Sequence, residues 1–231
     1  MSKNDKAFSL IELSIVITVI ALIIAGTIVG ADMLRRSRIR SVINESTKYI
    51  TAIYSFKYQY NYYPGDIPSA TSLIPSATYN GNGDFIINYS SEAWNSWVHL
   101  NFANLIDSTW DYSQTEPGSG YNPNTSWRME SPSSAIYNFQ AYTINTIGLS
   151  GCGLNHTNTC DGISPLDAYD IDLKMDDSNP STGSIITTVS GTGCIKNPTG
   201  NNVNSASYTN TDAFYNRLNA KLLCRRIMFI I

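Results

Sequence analysis

The chain has 231 residues, only 14% of them charged, and a formal net charge of −3. That charge suggests no polyanion-binding surface and makes nucleic acid a poor candidate for a partner. Soluble domains usually carry ~25% charged residues; here Tyr, Asn, Ser and Thr fill the difference, a composition common on exported surfaces.

The first element begins at Phe8. From Leu13 to Ala31 no side chain ionises, and Glu12 is the one ionisable group of residues 8–31. As a helix rising 1.5 Å per residue, the uncharged part spans about 28 Å, close to the ~30 Å hydrocarbon thickness of a bilayer. No Pro interrupts it, and a helix satisfies its own backbone polar groups, as lipid requires. The pattern predicts a membrane-spanning helix over 8–31. A carboxylate deep in a bilayer costs roughly 2.5–3.5 kcal/mol, so Glu12 needs either the headgroup level or a cationic partner. Ahead of the helix lies a hydrophilic leader, MSKNDKA, residues 1–7. A secretory signal places its small cleavage-site residue after the apolar run. Here the small residue, Ala7, precedes the run, and cleavage there leaves the helix on the mature chain.

The string A-FSLIEL-SIVITVIALI resembles the N-terminal signal of type IV prepilins and type II secretion pseudopilins. The resemblance implies that a prepilin peptidase cuts between Ala7 and Phe8 and methylates the new amino terminus. It implies that Glu12, fifth after the cut, pairs with the amino terminus of Phe8 in a neighbouring subunit, an attraction that strengthens as dielectric falls. The family usually has Gly where this chain has Ala7. The implied partners are other pilin or pseudopilin subunits, the peptidase and an inner-membrane assembly platform.

Beyond the span, Ile39, Val42, Ile43, Ile50 and Ile53 form one apolar stripe, so residues 32–60 read as an amphipathic continuation of the helix. It should stop near Tyr60, ahead of Pro64-Gly65-Asp66, a tight turn. Gly26 and Gly30 have the spacing that lets helices approach closely. Residues 61–231 then form a globular head.

Within the head, Asn80, Asn82 and Asp84 alternate like the first ligands of a calcium loop, but Ser91 holds the twelfth position and Glu92 comes one step late. An ordinary Gly/Asn turn is the expected reading. Ser91 reads as the N-cap of a helix whose face is Trp94, Trp97, Val98, Asn101 and Leu105. Residues 107–134 read as a long surface excursion. Residues 135–149 alternate as a strand, Ser164-Pro165 opens a helix through Met175, and a second strand covers 184–189. The layout PGD, a Gly/Asn/Asp turn and EAWNSW, together with the IDLKMDD segment, resembles a subset of prepilin-like proteins. Asp170, Asp172, Asp176 and Asp177 read as solvated helix-end carboxylates, with Asp172, Asp176 and Asp177 a second weak calcium candidate. A short helix is expected at 214–221 and a final strand within 222–231.

Four cysteines, Cys152, Cys160, Cys194 and Cys224, imply two disulfides among three possible connectivities. Neighbour pairing, Cys152–Cys160 and Cys194–Cys224, is preferred, and it places the head in an oxidising compartment. Arg35, Arg36, Arg38 and Arg40 outnumber the leader's Lys3 and Lys6, and the positive-inside rule alone would put the head in the cytoplasm. The cysteines and the leader point outward. No catalytic motif is present; His99 and His156 read as structural, and no cofactor is expected. The fold class is α+β: a long transmembrane and amphipathic helix packed on a small antiparallel-sheet head, pilin-like. The implied location is the bacterial inner membrane, single-pass, with the head periplasmic. The alternative is a single-span anchored domain that binds a ligand and never polymerises.

Overall fold

Residues 10–60 contain no Pro and only two glycines, so no strong breaker stops a helix once it starts. The computed structural model places a single helix there, α1 (Leu10–Tyr60). It stops where Asn61 turns left-handed, with φ of 60°, and its N–H bonds to Lys57 O at 2.8 Å. Asn tolerates that conformation better than most residues, and Pro64 soon follows. The structure describes residues 9–88, 91–107, 116–131, 144–151, 162–188, 194–196, 214–217, 224 and 226–231. By contacts the chain forms two compact units, 1–38 and 39–231.

In the second unit, α1 residues Ile39, Val42, Ser46, Ala52, Ile53 and Phe56 are buried. Ile43 and Ile50 of the expected stripe pack at its margin. Two further helices are α2 (Ala70–Leu73) and α3 (Glu92–Phe102). A four-stranded antiparallel sheet follows: β1 (Ser126–Glu130), β2 (Thr146–Ser150), β3 (Ile185–Thr188) and β6 (Arg226–Ile230), in the order β1-β2-β6-β3. Between β2 and β3 the chain forms α4 (Pro165–Met175). A small ribbon pairs β4 (Ile195–Lys196) with β5 (Phe214–Tyr215).

Side chains alternate across a strand, and the register aligns them in rows. Trp127, Leu149, Ile227 and Thr187 face one another across the sheet, and so do Met129, Ile147, Phe229 and Ile185. This is the apolar face. Its Trp127 meets Tyr49 of α1 edge-on, ring centroids 5.7 Å apart. The opposite face carries Arg128, Glu130 and Arg226, each at most 4% exposed. Arg128 Nε lies 3.0 Å from Glu130 and 3.4 Å from Glu116, and Arg226 bonds Glu130. Ion pairs so deep are tolerated only when mutually satisfied. Burial pushes Glu116 up to about 7, against the pull of Arg128.

Both sheet edges are occupied by the chain itself. Outside β1, Gly118 bridges to Ser126, Trp127 N donates to Pro117 O and Ser119 N to Thr125 O. Outside β3, Ile185 N donates to Asp176 Oδ2 and Thr187 N to Pro180 O.

Some sequence expectations are corrected. Residues 107–134 hold β1, whose Trp127, Arg128 and Glu130 are buried, so the segment is not wholly a surface excursion. At Phe214 a strand replaces the expected helix, because Tyr215 pairs with Ile195 and sends its hydroxyl to Asp172 and Thr187. The buried residues of α3 are Glu92, Ala93, Ser96, Trp97, His99 and Leu100; Trp94 stays 40% exposed. Ser91 makes no cap bond and instead pairs its hydroxyl with Tyr79 at 2.7 Å. Ser164 does cap α4, accepting from Asp167 N at 3.1 Å. Cys194 and Cys224 form the expected disulfide, closing a 30-residue separation and worth roughly 2–4 kcal/mol by loop entropy. Cys152 and Cys160 lie outside the described residues.

Gly148 of β2 lies between Arg226 and Glu130, and a Cβ there would meet Arg226 Cδ at 2.7 Å and Met228 Cγ at 3.2 Å. Gly148→Ala should therefore destabilise the protein by about 1–3 kcal/mol through overpacking. The expected readout is a lower denaturant midpoint with an unchanged slope.

Candidate functional site

The first candidate site is the start of α1. Ser9 precedes the helix, and its Oγ accepts from Ile11 N at 3.3 Å. Glu12 reaches back, and its Oε2 accepts from Ser9 N at 2.9 Å. Ser-x-x-Glu is a reciprocal cap, each side chain satisfying a backbone donor that the helix leaves open. Glu12 is thus held at the mouth of the helix, beside the N-terminal end of its dipole. The side chains of the apolar run from Leu10 to Leu34 are exposed on every side, between 48% and 87% for the large ones. The hydroxyls of Ser14, Thr18 and Thr27 all bond to carbonyls of their own helix, at 2.8–2.9 Å. Such a surface carries no unsatisfied polar group into an apolar setting. Length and composition suffice for one membrane crossing. Among the described residues, nothing beyond the helix's own adjoining backbone lies within 4 Å of a Cβ built on Gly26 or Gly30. Ala7 and Phe8, the expected processing pair, lie outside the described residues.

The head holds two acidic groupings. At the first, Gly65 has φ of +86°, and a side chain there would strike the Glu92 carbonyl at 2.2 Å; only glycine fits. This places Asp66 against the following loop. Asp66 accepts from Gly83 N, Asp84 N and Phe85 N at 2.8–3.2 Å. Glu92 accepts from Asn82 N and from the Asn88 backbone and side chain at 2.9–3.1 Å. Oxygens of Asp66, Asp84 and Glu92 lie within 4.8 Å of one another. Burial raises Asp66 to about 6, the N–H donors of Gly83 and Phe85 opposing it. The expected trio is not assembled as such: Asn80 Oδ1 accepts from Thr71 N, and Asn82 bonds Asp84. Asp84 meets Asp66 and Glu92 instead.

At the second grouping, Asp172, Asp176 and Asp177 do converge, within the same 4.8 Å. Asp172 is fully buried and not a solvated helix-end acid. Tyr215 OH donates to it at 2.7 Å and Ser178 N at 3.0 Å; burial raises it to about 6. Asp176 accepts from Ser184 N and Ile185 N, and Asp177 from Asn179 N and Thr182 OH. In both groupings the carboxylates organise their own loops, and loop amides act as their counter-dipoles. Hard cations such as calcium favour clustered oxygens of this kind, but every carboxylate here already accepts from its own chain.

Two residues that organise the head were not singled out from sequence. Glu45 of α1 accepts four bonds: from Ser41 OH, Ser119 OH, Gly120 N and Trp127 Nε1, at 2.6–2.9 Å. Its position three residues after buried Val42 was the available signal. Asp66 was visible only as part of a turn; the later amide-rich run NGNGD was the sign that it needed an acceptor.

His99 is buried. Its Nδ1 accepts from Gly65 N at 2.9 Å, so the proton sits on Nε2, which donates to Tyr79 O at 3.1 Å. His156 lies outside the described residues.

The prokaryotic N-terminal methylation motif matches residues 2–28, which include the capped start of α1 and most of its apolar run. This motif, together with the apolar helix that it overlaps, supports a type IV prepilin-like protein. No curated protein and no solved structure matches it. The prepilin motif points to a structural subunit, processed by a prepilin peptidase and assembled with other pilins. With the apolar helix it fits an inner-membrane anchor.

Burial lowers His99 to about 4. Because the folded pKa lies below the unfolded value near 6.5, the neutral ring contributes stability that is complete above pH 6.5 and drains away as pH falls toward 4. Across that window the wild type should lose about 3 kcal/mol more than His99→Gln. Unfolding followed by near-UV circular dichroism at fixed pH values measures the difference.

Proposed function

We propose that this prepilin-like chain is a minor pilin or pseudopilin of a type IV pilus or type II secretion filament. Residues 1–7 form a leader removed between Ala7 and Phe8. Residues 8–31 hold the subunit in the bacterial inner membrane as a single span, and residues 32–60 carry the helix into the head. The head lies in the periplasm, where Cys194 and Cys224 stay oxidised and Cys152 and Cys160 pair with each other. An inner-membrane platform then moves the subunit into a fibre.

The observation that carries this reading is the methylation motif over residues 2–28, followed by a helix whose apolar side chains are exposed on all sides. Such a surface suits lipid first and neighbouring helices afterwards. Glu12 is the residue that sets register. Its carboxylate accepts from Ser9 N within its own chain, and in the fibre it receives the charged amino terminus of Phe8 from an adjacent subunit. In a low dielectric that pairing is worth far more than in water, and one misplaced step leaves a charge uncompensated.

Glu12→Val should reduce the subunit in sheared filaments to background while the protein remains folded and membrane-bound. Incorporation at the wild-type level would rule out the register role. Mass spectrometry of the extracted protein should find a mature terminus at methylated Phe8. Retention of MSKNDKA in the filament-associated form would overturn the processing step.

A further inference from the structure

Immediately after the uncharged run Leu13–Ala31 comes a basic group, Arg35, Arg36 and Arg38, all on α1. At 1.5 Å per residue these Cα atoms stand about 6–10 Å past Ala31 along the axis, the depth of the headgroup layer when the run fills the hydrocarbon. At 100° per residue they cover about 160° of the helix circumference, so they form a collar and not a single stripe. Asp32 neutralises part of it, its Oδ2 lying 2.8 Å from Arg36 Nε with both side chains exposed. Arg38 is exposed and has no acidic partner among the described residues.

We propose that Arg35, Arg36 and Arg38 form a binding collar for anionic phospholipid headgroups. Three features select this ligand. The guanidinium fork matches a phosphate bidentately, where an ammonium acts as a point charge. The long side chains lie along the apolar boundary and lift their charged ends to the headgroup plane. The cations adjoin the apolar run, so a bound headgroup keeps its own chains beside Leu34, Met33 and Ile28, each more than 60% exposed. Free phosphate would gain the fork but not the apolar contact. The site rests on α1 lying in a bilayer, but it works in either leaflet and so does not depend on which side the head occupies.

The test reconstitutes the full chain into phosphatidylcholine vesicles with a trace of spin-labelled phosphatidylglycerol or spin-labelled phosphatidylcholine. The motionally restricted fraction of each label gives the selectivity. With two net positive charges in the collar, phosphatidylglycerol should be preferred on the order of tenfold. The triple variant Arg35→Gln, Arg36→Gln, Arg38→Gln should bring the preference close to unity, and Lys174→Gln should leave it unchanged. Inorganic phosphate should reduce it no more than sodium chloride of equal ionic strength. Equal restriction of both labels in the wild type overturns the collar, as does selectivity that survives the triple variant or yields specifically to inorganic phosphate. If the chain fails to float with the vesicles at all, the membrane reading and the collar fall together; flotation without selectivity removes the collar alone.

Discussion

Among the described residues, the apolar side chains of 10–34 find nothing to bury against, and that constraint governs the rest. A helix hydrophobic on all sides is stable only where water is excluded all round it. Its own chemistry is arranged for that condition. Ser14, Thr18 and Thr27 turn their hydroxyls inward to helix carbonyls, and the first open backbone donors are closed by Ser9 and Glu12. What remains is a surface with one ionisable group at its mouth and cations beyond its far end. Lipid satisfies such a surface, and so do copies of the same helix.

The head solves a different problem: it has few charges and must fix long, irregular loops. It does so by burying carboxylates among backbone donors. Asp66 gathers the amides of 83–85, Asp176 those of 184 and 185, and Glu45 ties α1 to the 119–120 segment and Trp127. Hydrogen bonds to a charged acceptor are roughly twice as strong as neutral ones. A few acids therefore do for these loops what regular secondary structure does elsewhere.

This also explains what the sequence disclosed. The span, the stripe from Ile39 to Ile53, the stop after Tyr60 and the Ser164 cap are local patterns with short periods, and all were readable. The acidic anchors were not, because each acts on residues 8 to 82 positions away and no spacing announces such a partner. Arg226 shows the same limit. It sits in the apolar C-terminal run, and Gly148 on the neighbouring strand makes room for it to cross to Glu130. Phe214 and Tyr215 were misread for a related reason: their pairing with Ile195 and Lys196 is a tertiary event.

The closed margins of the sheet have a consequence for crowding. Strands with open flanks recruit one another, and protein held at high local concentration is where such recruitment becomes irreversible. Here residues 117–119 lie along one flank and Asp176 and Pro180 occupy donors on the other. Neighbouring heads packed shoulder to shoulder would meet loop against loop, and each would remain a separate folded body that can be withdrawn from its row without tearing a shared ribbon.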